Sequence, residues 1–397
     1  MASAAPKRVV IRGGGWGHGL GLSQWGAYSR ALDGQKARRI IKHYYTGVEV
    51  KEAAHPGSLR VGIGQARSAI NLGGKSLTFK VEGYPGKVAK GGSGASWRLE
   101  PASNGRVRII KNGRVVRHNG RTAFGRPRRP LIVDYERNGS LLHIVEEGNR
   151  YRYGRLLVEP YSAPCSPGYC LRMIMKVPMQ EYLLGVAEVS ASWPKEALQV
   201  QAILSRTYVS HSVAVYGQHR STCNCAVYDT SFDQVFVGDD RRTDSGSYWP
   251  RWRSAVNGTD DEMVLYKGKP ILALYMSSSG GYTEDNENVW GGTPLPYLRG
   301  VPDPHDKVSP NTNHKWRVAM SWSTFSARLN AAFGTGTPRK FVIVKPLGVS
   351  TRVTVVKGPR RGGVKIEGSA RTVKVSGSAV KSALGLADTL FSVKFVD

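Results

Sequence analysis

The alternation of apolar and polar positions divides the chain into three regions. In the first region, residues 7–12 predict a strand that leads into a glycine-rich run from Gly13 to Gly21. A helix is predicted to begin at Ser23, because a serine hydroxyl can accept a hydrogen bond from a free amide of the first turn. A second helix is predicted by apolar residues that recur with helical spacing, namely Ala37, Ile40, Ile41 and Tyr44.

The region from about residue 55 to 160 consists of short alternating segments, which predict strands. Asn112-Gly113 stands between two of them and predicts a tight hairpin. The region contains no cluster of catalytic residue types, so a supporting or ligand-binding role is expected. The predicted strands are Leu59–Ile63, Leu77–Val81, Val107–Ile110, Val115–Arg117, Leu131–Val133, Leu141–Val145 and Leu156–Val158.

The third region mixes helices with strands. Its order favours an α+β fold over alternating βαβ units. The predicted fold is therefore a mixed helix and sheet domain with an inserted, mainly β accessory domain. Helices are predicted at 178–190, from Pro194 onward, near 322–333 and near 378–385, and strands at Ile271–Tyr275, Phe341–Val344, Val353–Val356 and Val373–Val375.

The net charge of +28 and the pI near 10.1 imply an anionic partner or surface. The charge is concentrated early, because residues 1–160 contain 29 lysines and arginines against 10 acidic residues. Neither zinc-finger spacing nor an RNP-type sequence accompanies it, so specific nucleic-acid binding is not expected. Acidic polymers of a bacterial wall would attract this charge equally well.

The apolar pattern also bears on the location of the protein. No run of 18 apolar residues occurs, so no transmembrane helix is expected. Residues 1–5 are not followed by an apolar stretch, so an intact signal peptide is not expected either. The chain is then either cytosolic or exported with its signal removed, and the motifs below favour export to the cell wall.

The four cysteines leave several possibilities open. Cys165 and Cys170 flank a Pro-Gly turn, across which a disulfide is sterically reasonable. Cys223 and Cys225 follow His219, and the three could form part of a zinc site, but a fourth ligand is missing. A disulfide or two free thiols are the alternatives, so no metal and no cofactor are assigned.

The glycine-rich run does not match a nucleotide-binding loop. The G-x-G-x-x-G spacing fails in every register between Gly13 and Gly21, and the run at Gly73 lacks the first glycine of a phosphate loop. The string from Gly15 to Ala27 instead combines alternate glycines with two tryptophans, His18 and Gln24. Glycines let a backbone approach a ligand closely, and these side chains offer the flat faces and hydrogen bonds that sugars need. A tight structural turn is the alternative.

Glu188 is the candidate for acid–base chemistry. It stands near the C-terminus of the predicted 178–190 helix, among apolar neighbours that include Val186 and Trp193. Burial and the negative end of the helix dipole both disfavour a carboxylate, so each would raise its pKa. A raised pKa suits a general acid near neutral pH. A partly buried glutamate without a catalytic role is the alternative.

Polar residues between Tyr275 and Asp306 form a third candidate group. A serine nucleophile is not supported, since no G-x-S-x-G elbow occurs. The hydroxyls around Ser279, together with Arg299 and Asp306, resemble hydrogen-bonding groups for a polyhydroxylated ligand. Structural turns are the alternative.

These strings together resemble the stage II sporulation protein D family of peptidoglycan lytic transglycosylases, which includes proteins described as amidase enhancers. The resemblance covers Val9–Gly47 and roughly residues 155–390. Its most specific pieces are Trp16–Ala27, Glu181–Glu188, Gln201–Tyr208, Asp233–Gly238 and Ser279–Thr283.

The resemblance implies roles for individual residues. Glu188 matches the catalytic acid/base of the family. The implied glycan-binding residues are His18, Gln24, Arg206, Ser279, Tyr297, Arg299 and Asp306. Arg299 stands where lysine is expected, and Val-Ser-Ala follows Glu188 where Met-Pro is more frequent.

The order of the motifs departs from the family. The glycine-rich loop that contains His18 usually ends the family's domain, whereas here it precedes the rest, which suggests a circular permutation. Residues 1–52 would complete the catalytic domain, 53–158 would form the accessory domain, and 159–397 the catalytic core. Val9–Ala27 is therefore expected to pack beside the strand that ends near Val393 and to face Glu188.

The implied function is a lytic transglycosylase that cleaves the MurNAc-GlcNAc bond of peptidoglycan and leaves a 1,6-anhydro product. The alternative is a glycan-binding protein that does not cleave and instead stimulates an N-acetylmuramoyl-L-alanine amidase. Peptidoglycan glycan strands are the expected partner, with anionic wall polymers and an amidase as further candidates.

Overall fold

The computed structural model describes residues 6–135, 139–358 and 360–396. Both helices and strands occur throughout, so the predicted α+β class is confirmed. No helix in these ranges is long and apolar enough to cross a membrane. The helices are α1 (Gln24–Leu32), α2 (Ala37–Tyr44), α3 (Met179–Leu184), α4 (Lys195–Tyr216), α5 (Asp240–Ser245), α6 (Trp249–Asn257), α7 (Asn286–Val289), α8 (Trp322–Phe333) and α9 (Gly377–Leu384).

The strands are mostly short, and their numbering follows the chain. They are β1 (Arg8–Gly13), β2 (Leu22–Ser23), β3 (Glu49–Glu52), β4 (Ser58–Arg67), β5 (Ile70–Gly73), β6 (Leu77–Val81), β7 (Ala89–Gly91), β8 (Trp97–Pro101), β9 (Val107–Lys111), β10 (Arg114–Val115), β11 (Ala123–Phe124), β12 (Leu131–Asp134), β13 (Leu142–Ile144), β14 (Asn149–Tyr151), β15 (Arg155–Ser162), β16 (Tyr169–Pro178), β17 (Val227–Tyr228), β18 (Glu262–Tyr266), β19 (Lys269–Pro270), β20 (Tyr275–Met276), β21 (Trp316–Ser321), β22 (Pro338–Ile343), β23 (Val364–Gly368), β24 (Thr372–Val375) and β25 (Phe391–Val396). The predicted strand at Val353–Val356 is irregular backbone instead.

The chain folds into two compact units. The first unit comprises Met1–Val50, Pro194–Val200 and Val264–Asp397, and the second comprises Lys51–Trp193 and Gln201–Met263. The segment predicted as an accessory domain, 53–158, lies in the second unit together with Glu188 and Arg206. The domain boundaries drawn from the sequence stay a prediction.

In the first unit, β1 is the central strand of a three-stranded antiparallel sheet. It pairs with β21 on one side and with β25 on the other, where Ile11 stands opposite Val393. The predicted packing of the first strand beside the strand around Val393 is thus confirmed. Together with α8, α9 and the sheet β22-β23-β24, this sheet encloses a hydrophobic core. The core includes Val9, Ile11, Phe325, Leu329, Val364, Ile366, Leu384 and Phe391.

The two predicted helices that follow β1 are both present. Ser23 caps α1, and its Oγ accepts a hydrogen bond from the amide of Gly26 at 3.1 Å. The apolar stripe of α2 is fully buried, as its spacing predicts. These two helices fix the position of the chain just after the glycine-rich loop.

The second unit is built on two sheets. One has the strand order β10-β9-β8-β5-β13-β14, with β11 also paired to β9, and the other has the order β17-β4-β16-β15-β12-β6-β7. The hairpin predicted at Asn112-Gly113 joins β9 to β10, and both residues have positive φ angles. Strand β15 crosses residue 158 and pairs with β16 along its whole length, so this sheet extends on both sides of the predicted boundary.

Candidate functional site

The eight residues selected from the sequence fall into both units. Glu188 and Arg206 belong to the second unit, whereas His18, Gln24, Ser279, Tyr297, Arg299 and Asp306 belong to the first. Each group is described below from its own contacts.

Glu188 does not lie on a helix, in contrast to the prediction. Helix α3 ends at Leu184, and Gly185 brings the chain against Phe236, where a Cβ atom would lie 2.5 Å from the ring. Val186 then pairs with Phe236 in a β-bridge, and the amide of Ala187 donates to Val235 O at 2.9 Å. The pairing with this neighbouring segment replaces the last predicted turns, so the helix-dipole argument for Glu188 does not apply.

The Glu188 carboxylate is partly exposed and held in place by the backbone. Its Oε1 accepts a hydrogen bond of 2.6 Å from the amide of Val235. Tyr182, fully buried nearby, donates its hydroxyl to Gln234 at 2.9 Å. Burial raises the pKa of Tyr182 well above its usual value, and the charge of Glu188 adds to the effect. The carboxylate is therefore oriented next to a tyrosine that stays protonated.

The segment that supports Glu188 is itself held by Asp233. This carboxylate accepts hydrogen bonds from Tyr208 Oη at 2.8 Å, from the amide of Tyr228 at 2.8 Å and from Arg220 at 2.9 Å. Tyr208 belongs to α4. Two of the strings noted in the sequence, Gln201–Tyr208 and Asp233–Gly238, thus meet behind the Glu188 segment.

Asp229 is an ionisable group near this segment that the sequence did not reveal. Its carbonyl accepts from the amide of Phe236 at 3.0 Å, so it opens the turn that leads to Val235. Burial, and secondarily the charge of Glu147, raise the pKa of its carboxyl to about 7. Burial follows from tertiary packing, and Glu147 lies 82 positions away in sequence, so no local motif could signal the raised pKa.

We expect Asp229→Asn to stabilise the protein at high pH. A pKa that is raised in the folded state contributes stability below the unfolded value near 4, and that stability is lost as the pH rises toward 7. The neutral amide avoids this loss, so the free energy of unfolding at pH 8 should rise by about 2 kcal/mol after allowance for partial exposure. At pH 4 the two proteins should be equal.

Urea unfolding at pH 4 and pH 8 measures this difference. Asp233→Asn is the matched control, because it removes the ion pair with Arg220 and should destabilise at pH 8. Equal effects of Asp229→Asn at the two pH values would contradict the burial of a protonated carboxyl.

Arg206 is completely buried in the second unit. Its guanidinium donates to the carbonyls of Thr259 at 2.7 Å and Glu262 at 3.1 Å, and to Gln180 Oε1 at 3.0 Å. Burial lowers its pKa to about 10, so it stays charged at neutral pH. These contacts tie α4 to the start of α3 and to the turn before β18. They support a positioning role for Arg206, whereas direct contact with a ligand stays a prediction.

In the first unit, the glycines of the N-terminal loop are required by packing. A Cβ atom at Gly19 would lie 2.4 Å from Arg352 Nε, and one at Gly15 would lie 2.8 Å from Asp388 Oδ2. Both glycines also have φ angles near +84°, a region that L side chains rarely adopt. Lys381 Nζ donates to Gly17 O at 2.6 Å. The alternate glycines therefore let the loop lie directly on the buried ion pair between Arg352 and Asp388.

His18 organises this loop as a neutral imidazole. Its Nδ1 accepts from the amide of Leu20 at 3.0 Å, and its ring meets the carbonyl of Tyr275. Burial lowers the pKa of His18 to about 4, and the charges of Lys381 and Arg352 act in the same direction. The edge of Trp290 contacts the ring at a centroid distance of 5.2 Å.

Asp306 connects Ser23, which follows the glycine-rich loop, to the Ser279-Gly-Gly motif by hydrogen bonds. The fully buried carboxylate accepts hydrogen bonds from Ser23 Oγ and Ser278 Oγ at 2.8 Å each. It also accepts from the amide of Ser279 at 2.9 Å, from the amide of Gly280 at 3.0 Å and from His314 at 2.9 Å. These contacts give Asp306 a positioning role.

A second buried carboxyl group, that of Asp303, lies near Asp306. Asp303 accepts from Ser279 Oγ and from Tyr44 Oη at 2.8 Å each. Burial raises the pKa of Asp303 to about 6, and the nearby Asp306 contributes to the increase. The hydroxyl of Ser279 is thus used within the protein.

The remaining three predicted residues also lie in the first unit. Gln24 is buried at the start of α1. The hydroxyl of Tyr297 accepts from the amide of Leu272 at 3.3 Å. Arg299 forms an ion pair with Glu287 at 2.6 Å and donates to Asn286 at 2.8 Å, which holds α7. The predicted contacts of all three with a ligand stay predictions.

The two glycine motifs of the first unit border a groove. It has a volume of about 600 Å³ and is lined by Arg12–Gly14, Gly280–Tyr282 and Val349–Thr351, together with Lys315. Two large aromatic side chains near His18 face solvent, because Trp16 is 54% exposed and Trp290 is 51% exposed. Arg12 and Lys315 were missed in the sequence, since they belong to no motif, and Tyr282 lies within the Ser279–Thr283 string but was not selected as a site residue.

The cysteines form two disulfides, Cys165–Cys170 and Cys223–Cys225. The second is one of the alternatives that the sequence left open, and it uses the thiols that a zinc site would need. His219 instead contacts Asn224 Oδ1 at 2.5 Å. Elsewhere in the described ranges, His55, Asp260 and Asp261 lie close together, but both carboxylates are exposed and His55 already contacts Asp261 at 2.9 Å.

Comparison with known families bears on the second unit. The model of the Stage II sporulation protein family matches residues 170–266, which include Glu188, Arg206 and Asp233. Residues 170–266 thus form a domain of the stage II sporulation protein D family. The family match excludes the glycine-rich loop and residues 279–306, so the circular permutation inferred from the sequence stays a prediction.

Individual relatives agree with this family. Stage II sporulation protein D of Bacillus amyloliquefaciens is 32% identical over 144 residues, and that of Bacillus subtilis strain 168 is 31% identical over 144 residues. Each match spans 34% of this chain and 42% of the relative. The amidase enhancer of Bacillus subtilis strain 168 is 35% identical over 119 residues, which span 30% of this chain and 14% of that protein.

Proposed function

We propose that the chain acts on the cell wall as a lytic transglycosylase that cleaves peptidoglycan glycan strands, with Glu188 as its general acid and base. The observation that carries the proposal is the partly exposed Glu188 carboxylate, which the amide of Val235 holds at 2.6 Å within the family domain. The similarity to stage II sporulation protein D supports the assignment.

A single carboxylate is enough for this reaction. An ordinary glycosidase needs a second carboxylate to activate water or to form a covalent bond. Here Glu188 protonates the bridging oxygen as the bond from C1 of N-acetylmuramic acid breaks. The resulting carboxylate then accepts the proton of the C6 hydroxyl of the same sugar while that oxygen bonds to C1. The product is a 1,6-anhydro sugar, and no water is consumed.

The surroundings of Glu188 serve this proton transfer by holding it in place. Asp233 fixes the backbone at Tyr228, ahead of the segment that pairs with Val186, and Arg206 links α4 through Gln180 to the helix that precedes Glu188. In this proposal the glycine-rich loop of the first unit also binds glycan, and its exposed Trp16 side chain provides the contact surface.

The exposed tryptophans provide a test of glycan binding by the first unit. We expect Trp16→Ala to weaken binding to purified glycan strands by about tenfold, because loss of one aromatic contact costs about 1–2 kcal/mol. The melting temperature should not change, since the side chain is 54% exposed. Leu32→Ala is the control, because Leu32 is equally exposed (57%) on α1. Sedimentation with insoluble glycan measures both, and equal binding by the two variants would count against the loop.

The second candidate is a glycan-binding protein that does not cleave and stimulates an amidase. The similarity to an amidase enhancer favours it. The two functions are separated by incubating peptidoglycan with the chain alone and with an amidase. A lytic transglycosylase produces new anhydro ends without the amidase. An enhancer produces none and increases only the release of stem peptides.

A further inference from the structure

The strongest feature of the second unit that the proposed function leaves unused is a stretch of positive charge. Between Pro101 and Val133 there are eight arginines, one lysine and no acidic residue. The stretch includes β9, β10 and β11, and both β10 and β11 pair with β9 in one sheet. The positive charge of this stretch is therefore concentrated on neighbouring strands of one sheet.

Tight turns present this charge to solvent. The sequence repeats a basic residue followed by Asn-Gly-Arg, once at Lys111–Arg114 and once at His118–Arg121. Asn112 and Asn119 have φ angles of 48° and 49°, which suit the two-residue turns of hairpins. A third turn closes between Arg126 and Arg129. Each turn thus carries an arginine at or beside its tip.

The arginines of the three turns are not used to stabilise the fold. Within the described part of the chain, none of the guanidinium groups of these turns forms an ion pair. In the rest of the stretch, Arg108 of β9 lies 3.8 Å from the carboxylate of Glu100. Other arginines of the same unit behave differently, since Arg67 and Arg152 each form an ion pair with a carboxylate at 2.8 Å. The exposed arginines are Arg114, Arg117, Arg121, Arg126, Arg128 and Arg129. Repulsion among them disfavours folding unless an anion compensates it.

A cavity lies among these turns. It has a volume of about 120 Å³, and its lining includes Arg106, His118 and Arg121 beside the rings of Tyr84 and Phe124. Asn119 Nδ2 donates to Tyr84 Oη at 3.3 Å, which links the second turn to the end of β6. The cavity can take one anionic group with a short aliphatic portion against the rings, while the surrounding arginines contact the next groups of the same chain.

We propose that this surface, residues 101–133 with Tyr84, binds a linear phosphodiester polymer of the cell exterior. Arginine predominates over lysine eight to one, and its planar guanidinium pairs with phosphate in a bidentate manner. Nucleic acid has the same phosphodiester group, but two observations oppose it. All described cysteines are paired in disulfides, which persist in oxidising compartments. The surface offers one exposed aromatic ring, Tyr84, whereas single-stranded nucleic acid needs a row of them.

The test compares two preparations of one wall: one that keeps its phosphodiester polymers and one stripped of them with hydrofluoric acid. A variant with arginine-to-glutamine changes at 114, 117, 121, 126 and 129 is expected to lose at least about tenfold in binding to the polymer-bearing wall and to bind both walls alike. The control carries glutamine at five exposed basic positions of the first unit and should bind as the wild type does. These positions are Arg39, Lys42, Arg317, Lys340 and Lys394.

Labelled poly(glycerol phosphate) is used in a second arm, with duplex DNA as competitor at matched phosphate concentration. DNA is expected to compete at least about tenfold more weakly than unlabelled polymer, and binding should weaken as salt increases. Equal losses by the five-arginine variant and its control, or DNA that competes as well as the polymer, would overturn the proposal. The five-arginine variant should melt at or above the wild-type temperature, because repulsion among the arginines is relieved, and should keep full activity on stripped walls, so this result does not depend on Glu188.

Discussion

Glu188→Gln is expected to lower the rate of anhydro-muropeptide release by about 10²–10⁴-fold, the range typical for loss of a general acid or base. Glutamine keeps the shape of the side chain, and its Oε1 can still accept from the amide of Val235. It cannot donate a proton to the bridging oxygen. Binding of glycan strands should therefore be unchanged while turnover falls.

Glu181→Gln is the matched control for this variant. Glu181 lies in the first turn of α3, seven positions earlier, and is also partly exposed. The change removes the same charge from the same unit, so it corrects for any general electrostatic effect on glycan binding. Turnover by Glu181→Gln should stay within a few fold of the wild type. Equal losses in the two variants would remove the special role of Glu188.

Arg352→Met is expected to lower the free energy of unfolding of the first unit by about 3–5 kcal/mol, as is usual when one partner of a buried ion pair is removed. Arg352 and Asp388 are both fully buried, and Nε and Oδ1 lie 3.0 Å apart. The guanidinium also donates to the carbonyls of Tyr282 and Ser279. Methionine would leave the Asp388 carboxylate without its counterion beneath the glycine-rich loop.

Two further variants show whether the unpaired charge causes this loss. Arg352→Met combined with Asp388→Leu removes both charges and should recover part of the stability, because an apolar pair avoids the cost of the buried charge. Lys365→Met breaks the exposed pair with Glu367 and should cost far less stability than Arg352→Met, because solvent screens exposed ion pairs. Denaturant unfolding followed by tryptophan fluorescence measures all three. A double variant that is no more stable than Arg352→Met would contradict the explanation.

Local signals in the sequence predicted the elements that local interactions determine. The hydroxyl of Ser23 caps the first turn of α1, and the spacing of Ile40 and Tyr44 defines the buried face of α2. Asn112-Gly113 forms its hairpin because both residues tolerate positive φ angles. The pairing of β1 with β25 was also predicted, although from the family resemblance and not from a local pattern.

The sequence was less informative where distant contacts decide the structure. The 178–190 helix was predicted too long, since the pairing of Val186 with Phe236 depends on a segment 50 positions away. The motif residues Arg206 and Asp306 were identified as important, but their burial and their protein partners follow from tertiary packing. The raised pKa of Asp229 depends on burial and on Glu147, which no spacing rule connects to it.

The most direct test of the central claim is digestion of purified glycan strands in water enriched in heavy oxygen, followed by mass spectrometry of the new chain ends. A single-carboxylate mechanism at Glu188 predicts ends that are lighter than reducing ends by one water and carry no label. Reducing ends that contain the heavy isotope would show hydrolysis and contradict the mechanism. Glycan that is bound but not cut would contradict catalysis itself and favour the amidase enhancer.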